Sequence, residues 1–185
     1  LVQLAAGPGL LAAGIALGTL ASYALVYTPL KRRSSLATLV GGIPGALPPL
    51  IGWAAGRGEL TPEAWVLFAI VFLWQMPHFL AIAWLCREDY ARAGLMMLPV
   101  VEPDGRSTAQ QVVLYAAVLL PVSLLPAVLG LAGRLYTVAA LVLGLGFLGL
   151  GVWFGLQRNR DTARRLFLAS IAYLPLLWGL MLWDH

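Results

Sequence analysis

The sequence predicts an all-α integral membrane protein, a multi-span helical bundle. Of its 185 residues, 61% are hydrophobic and 11% are charged, and the mean hydropathy is +0.85. A soluble domain has roughly 25% charged residues, so this chain carries more apolar surface than a soluble fold can bury. Several apolar runs also reach the length of about 20 residues that a helix needs to cross a bilayer.

Glycine, proline and polar clusters divide the chain into predicted spans. These lie at 10–27, 36–55, 64–86, 109–132, 136–156 and 166–183. A tight hairpin at Gly133 and Arg134 separates the fourth from the fifth, and a basic loop, 157–165, precedes the sixth. Because the chain starts inside apolar sequence, we expect it to be the C-terminal part of a longer protein, with 1–185 forming a single domain.

The second predicted span, 36–55, is rich in helix breakers. Proline removes a backbone donor, and the groups that it frees cannot be left facing lipid. We therefore expect this segment to be broken and to pack against protein or line a cavity. The breakers are Gly41, Gly42, Pro44, Gly45, Pro48, Pro49 and Gly52.

The basic residues predict the orientation. Loops 29–35, 87–108 and 157–165 hold ten of the twelve Lys and Arg residues, and only Arg57 and Arg134 fall in the opposite loops. Basic loops stay on the cytoplasmic side, so these three loops are predicted to be cytoplasmic. Topology thus accounts for the net charge of +4 without a nucleic-acid partner. The single cysteine, Cys86, excludes an internal disulfide and a paired-cysteine metal site.

His78 is the one ionisable residue inside an apolar span. It lies eight residues before Cys86, which is about 12 Å along a helix, so it should sit below the cytoplasmic mouth. Gln75 precedes it by three residues and should share much of its face. An intramembrane ionisable group is a functional candidate. The alternative is a neutral histidine bonded to a neighbouring helix.

Past the helix exit, Asp89 and Arg92 are three residues apart and would share a face if the chain is helical there. This pattern fits an exposed ion pair, or a carboxylate that binds a divalent metal beside an anionic substrate. Lys31, Arg32 and Arg33 lie on the same predicted side. Cations and a metal-binding carboxylate over one mouth would suit a diphosphate, although they do not name a reaction.

Several motifs in order resemble the protohaem IX farnesyltransferases, a family of the UbiA superfamily of membrane prenyltransferases. They are Leu-Lys-Arg-Arg-Ser at 30–34, Gly-Ala-Leu-Pro-Pro-Leu-Ile-Gly-Trp at 45–53, Trp-Gln-Met-Pro-His at 74–78, Asp-Tyr-Ala-Arg-Ala-Gly at 89–94 and Leu-Pro-Val-Val at 98–101. The resemblance implies a UbiA-type bundle of about nine helices, of which this chain supplies the last six. Leu95-Met96-Met97 departs from the usual family pattern before Leu98-Pro99.

The resemblance implies transfer of a farnesyl group from farnesyl diphosphate to a vinyl group of haem B, giving haem O, with Mg²⁺ as cofactor. In the superfamily two aspartate-bearing cytoplasmic loops hold the metal and the diphosphate. Asp89 falls in the second loop, and the first is not in this chain, so the chain alone should be inactive. By the same resemblance Asp89 and His78 are catalytic, and the substrate-binding residues are Lys31, Arg32, Arg33, Gln75, Tyr90 and Arg92.

The resemblance also suggests a setting and leaves alternatives. It favours the bacterial cytoplasmic membrane over the mitochondrial inner membrane, with the lipid bilayer, haem A synthase or oxidase assembly proteins as further partners. Another UbiA-type enzyme acting on a quinone precursor or chlorophyllide remains an alternative. Outside this class, the residues also fit a transporter with an intramembrane histidine or a non-catalytic factor that holds haem.

Overall fold

The computed structural model describes residues 9–31 and 33–184, and in these ranges it contains helices and no strand. We number the helices α1 to α10. They are α1 (Leu10–Leu30), α2 (Ala37–Ala46), α3 (Pro48–Arg57), α4 (Pro62–Leu85), α5 (Arg87–Arg92), α6 (Leu98–Val101), α7 (Arg106–Val122), α8 (Leu125–Val128), α9 (Arg134–Gln157) and α10 (Arg160–Trp183).

The predicted all-helical membrane fold is confirmed. In the described part of the chain, six helical stretches are long and apolar enough to cross a bilayer. They are α1, α2 with α3, α4, α7 with α8, α9 and α10. The protein is therefore a multi-pass membrane protein.

Breaks and loops differ from the sequence prediction in places. The second span is broken as expected, because α2 ends before Leu47 and α3 begins at Pro48. The fourth, predicted as a span over 109–132, is also interrupted, at Ser123 and Leu124, and its second part ends at Val128. The polar loop 87–108 is partly helical, since α5, α6 and the start of α7 lie within it.

The prediction of a loop over 157–165 is wrong for its second half, because α10 already begins at Arg160. Asn159 is the N-cap, and its Oδ1 accepts a hydrogen bond from the Thr162 N–H at 2.9 Å. Such a cap satisfies one of the free amide groups that begin a helix. The charged first turns of α10 therefore extend the helix past its apolar part.

α4 is the central helix of the bundle. In its most apolar 18-residue stretch 39% of the residues are buried, against 28% or less in the other spans. It packs against α2, α3, α7 and α10, and α9 packs on α7 and α10. Of the glycine pairs four residues apart, only some lie at helix contacts. Gly151 and Gly155 face α7, whereas Gly14 and Gly18 have no described residue close to them.

The three basic loops meet at one end of the bundle, here called the basic end. The Met96 N–H donates to the Lys31 carbonyl at 3.2 Å, which joins loop 87–108 to loop 29–35. Arg87 and Arg158 line one cavity, which brings loop 157–165 to the same end. The three loops therefore lie on one side of the bundle, as their alternation along the chain predicts.

We expect Gly105→Ala to destabilise the protein more than Gly94→Ala. Both glycines have positive φ, 70° and 68°, so alanine should cost about 1–2 kcal/mol at either position. Only at Gly105 would a Cβ also overlap a neighbour, 2.6 Å from Cη2 of the buried Trp84 ring, adding about 1–3 kcal/mol. Thermal unfolding of the detergent-solubilised variants measures the difference, and equal losses of stability would contradict this packing.

Candidate functional site

A cavity of about 290 Å³ lies near the basic end, between α1, α2 and α4. We call it the basic-end cavity. Its walls are mainly apolar and carry a few hydroxyl groups, which is typical of sites that orient a small molecule. The lining residues are Tyr23, Tyr27, Thr38, Gly41, Gly45, Phe79, Ile82, Ala83, Tyr90 and Met97.

The α4 wall of this cavity follows from helical spacing. Phe79, Ile82 and Ala83 are three or four residues apart and therefore lie on one face. Opposite them, Gly41 and Gly45 of α2 leave room for their neighbours. A Cβ on Gly41 would overlap the Tyr27 ring, and one on Gly45 would lie 2.6 Å from Oε1 of Gln75.

The α1 wall is a π-helical turn, Tyr23–Tyr27, inserted into an otherwise α-helical span. It places both tyrosines on the cavity, with their ring centroids 5.0 Å apart. The Tyr23 carbonyl accepts both the Thr28 N–H and, at 3.0 Å, the Thr28 hydroxyl. Turns of this kind are frequent at functional sites.

Tyr90 closes the cavity at the basic end. It lies on α5, outside the membrane-spanning helices, and its carbonyl accepts the Leu95 N–H at 2.9 Å. Burial raises the pKa of the Tyr90 phenol, with a smaller contribution from nearby Cys86. The phenol therefore stays protonated at neutral pH and can donate a hydrogen bond into the cavity.

Asp89 and Arg92 form the predicted ion pair on α5. Their side chains are 66% and 78% exposed, and an exposed pair contributes only about 0–1 kcal/mol. The Asp89 carboxylate is thus held weakly and is free to exchange Arg92 for another cation. Lys31 and Asp89 lie in loops at the same end, but among the described residues no carboxylate pairs with Lys31, whose ammonium group lies 6.0 Å from the Tyr27 ring centroid.

The sequence predicts two further cations at this end. Arg33 is exposed in the loop between α1 and α2, and Arg32 lies outside the described residues. Within the described ranges, no group of three or more His, Cys, Asp or Glu side chains could hold a metal. Mg²⁺ commonly takes one or two carboxylates together with phosphate oxygens and water. Asp89 therefore fits one ligand of such a site and does not make a complete site.

His78 does not line the basic-end cavity. It faces α10, where its Nδ1 lies 2.7 Å from the Ser170 hydroxyl. Its ring stacks on Trp74 with centroids 5.0 Å apart and contacts Phe167 at 5.2 Å. Phe79 links the two regions, because it lines the cavity and lies 5.6 Å from the imidazole.

The hydrogen bonds around Ser170 assign the tautomer of His78. Ser170 donates its one hydroxyl proton to the Phe167 carbonyl at 2.6 Å, so its oxygen must accept from His78 Nδ1–H. The Trp74 indole N–H also donates to the Ser170 carbonyl at 2.8 Å. Nε2 then carries the lone pair, and it forms no hydrogen bond to another described residue.

Gln75 contacts a different helix from His78, so the expectation that the two residues share a face does not hold. Its side chain is buried, and its amide donates to the Gly42 carbonyl of α2 at 2.5 Å. Three residues along a helix are about 60° apart in projection. On a central helix with neighbours on several sides, this angle is enough to direct Gln75 to α2 and His78 to α10.

The sequence prediction missed several residues of the site. Tyr23 and Tyr27 carry an i, i+4 spacing that could have indicated one face, but aromatic residues are common near span ends. Phe79 is one of many apolar residues of α4. Ser170 has no local signal at all, because it meets His78 only in the folded bundle.

The model of the UbiA prenyltransferase family matches residues 1–181. The chain belongs to the UbiA prenyltransferase family. It is 60% identical to the protoheme IX farnesyltransferase of Solibacter usitatus (strain Ellin6076) over 184 residues, which cover 100% of this chain and 63% of that protein.

Two further relatives carry the same name. The protein of Myxococcus xanthus (strain DK1622) is 50% identical, over 100% of this chain and 63% of its own length. That of Koribacter versatilis (strain Ellin345) is 50% identical, over 95% and 59% respectively. The chain thus spans about three-fifths of the length of these curated relatives. No solved structure matches it.

We expect Ser170→Ala to destabilise the protein by about 1 kcal/mol, because it leaves the Nδ1–H of the partly buried His78 unpaired. Ser22→Ala is the matched control, since the Ser22 hydroxyl likewise donates to a carbonyl three residues back, that of Thr19. Thermal unfolding of both variants measures the difference. A double-mutant cycle of Ser170→Ala with His78→Ala should show coupling, and strictly additive effects would contradict the hydrogen bond.

Proposed function

We propose that the protein to which this chain belongs transfers a farnesyl group from farnesyl diphosphate to a vinyl group of haem B, giving haem O. The observation that carries this proposal is the 60% identity, along the whole chain, to a protein named protoheme IX farnesyltransferase. Membership of a prenyltransferase family argues against a transporter. The setting would be the bacterial cytoplasmic membrane, with 1–185 as part of one domain.

The basic end would hold the diphosphate. Lys31, Arg33 and Arg92 supply cations there, and Arg32 belongs to the same loop. Guanidinium groups bind phosphate oxygens with two parallel hydrogen bonds, which fixes the diphosphate as well as neutralising it. Asp89 would be one ligand of Mg²⁺, which would supply positive charge to the leaving group. Arg92 would then turn from Asp89 to the phosphate.

The basic-end cavity would hold the prenyl chain. Its apolar residues Phe79 and Ile82 suit a hydrocarbon, and the hydroxyl of Tyr90 lies at the end where the diphosphate would sit. Breaking the allylic C–O bond leaves a carbocation that water would quench. A water-poor cavity beneath a cationic mouth separates the two charges and delays that quenching.

His78 would act on the haem side. The new C–C bond forms between the farnesyl carbon and the terminal vinyl carbon, and water then adds at the adjacent carbon with loss of a proton. The free Nε2 of His78 supports either ligation of the haem iron or orientation of a group near the vinyl. Phe79 lies between this imidazole and the prenyl cavity, so both substrates would meet beside it. Gln75 would support the α2 wall through Gly42.

A hybrid protein tests the reaction. The segment of the Solibacter usitatus relative that matches this chain is replaced by residues 1–185, and the hybrid is produced in cells that lack haem O. Mass spectrometry of the extracted haems should show a hydroxyethylfarnesyl haem. A hybrid that is inserted and abundant but leaves only haem B would overturn the proposal, and a different prenylated product would favour a quinone or chlorophyllide acceptor.

In the active hybrid, we expect Asp89→Asn to lower haem O formation at least about 100-fold, because it removes a metal-binding charge at the leaving group. Glu88→Gln is the matched control. It removes the same charge from the adjacent exposed residue, which does not line the basic-end cavity. Initial rates at saturating Mg²⁺ measure the effect. Equal rates for the two variants would exclude Asp89 from the metal site.

We expect His78→Ala to abolish most haem O formation and to change the absorption spectrum of bound haem B if Nε2 ligates the iron. A lower rate with an unchanged Soret band would instead support the orienting role. Both are measured on the purified hybrid after its folding has been checked by thermal unfolding. A folded His78→Ala protein with the normal rate would contradict both roles.

A further inference from the structure

A second polar cavity, of about 330 Å³, opens at the basic end and shares no lining residue with the basic-end cavity. We call it the arginine pocket. It lies where the end of α4 and the start of α5 meet the turn between α9 and α10. Its lining residues are Trp84, Leu85, Arg87, Glu88, Arg158, Asn159 and Arg160.

The arginine pocket has an excess of positive charge. Three arginines line it against one acidic residue, Glu88. Among the described residues, none of the three arginines forms an ion pair. Arg87 instead lies over the Trp84 ring, 4.8 Å from its centroid, which holds the guanidinium in place and leaves its N–H donors available.

Arg158 occupies a backbone conformation that arginine does not favour. It ends α9 with φ 47° and ψ 41°, and it is the one non-glycine residue with positive φ in the described ranges. Glycine or asparagine is the usual residue at this position of a helix end. Strain of this kind tends to be kept where the side chain has a function. Here the strained residue is one of the three arginines that line the pocket.

We propose that the arginine pocket binds the phosphate of an anionic phospholipid headgroup. The pocket lies at the ends of three membrane spans, and basic pockets between helices at the cytoplasmic face bind such lipids. Arginine forks match phosphate oxygens, and the buried Trp84 ring holds one of these forks, that of Arg87, in place. The proposal does not depend on the farnesyl-transfer reaction.

The test uses the full-length hybrid, purified in detergent, with dioleoylphosphatidylglycerol, dioleoylphosphatidylcholine or inorganic phosphate added. Phosphatidylglycerol at saturation should raise the Tm by roughly 5 °C, and phosphatidylcholine should raise it far less. The double variant Arg158→Gln/Arg160→Gln should lose most of this rise. Arg164→Gln/Arg165→Gln, which removes the same charge from exposed residues of α10 outside the pocket, should keep it.

Native mass spectrometry gives an independent readout that does not depend on stability. The hybrid should retain phosphatidylglycerol, and the Arg158→Gln/Arg160→Gln variant should lose it while the control variant does not. Equal losses from the two double variants would show a diffuse charge effect and overturn the proposal. Inorganic phosphate that stabilises as well as the lipid would overturn it too, in favour of a soluble anion.

Discussion

Polar groups on the central helix must find partners inside the bundle, and the rest of the structure depends on this constraint. α4 is covered by α2, α3, α7 and α10, so Gln75 is buried and His78 is partly buried. Leaving a polar group unpaired there lowers the stability of the fold by several kcal/mol. Gln75 and His78 are therefore bonded to different neighbours, and these bonds fix how α2 and α10 sit against α4.

The two contacts lie on different faces of α4, and each face has a different environment. Towards α2, glycines bring the helices close enough for Gln75 to reach the Gly42 carbonyl, and a cavity opens just above this contact. Towards α10, the aromatic rings of Trp74 and Phe167 enclose His78. α4 thus lines the basic-end cavity on one side and presents the His78 imidazole on the other, with Phe79 between them.

Features that depend on spacing and composition could be predicted from the sequence. The spans, the break after α2, the basic end and the Asp89–Arg92 pair all follow from residues close to one another in the chain. The partners of His78 and Gln75 could not be predicted, because Ser170 is 92 residues away and Gly42 is 33 residues away. The start of α10 was missed although Asn159 signals it, since its charged turns resemble a loop.

The π-helical turn in α1 sets the rotational phase of that span. An extra residue in one turn rotates everything before it by about 100° relative to everything after it. The part of α1 before Tyr23 packs on α3, whereas the tyrosines face the cavity. In a uniform α-helix the two surfaces could not both keep their present directions. The insertion therefore lets one span contact two neighbours. Adding or removing one residue in α1 would turn one of these surfaces away from its neighbour, even though the sequence of α1 is almost uniformly apolar.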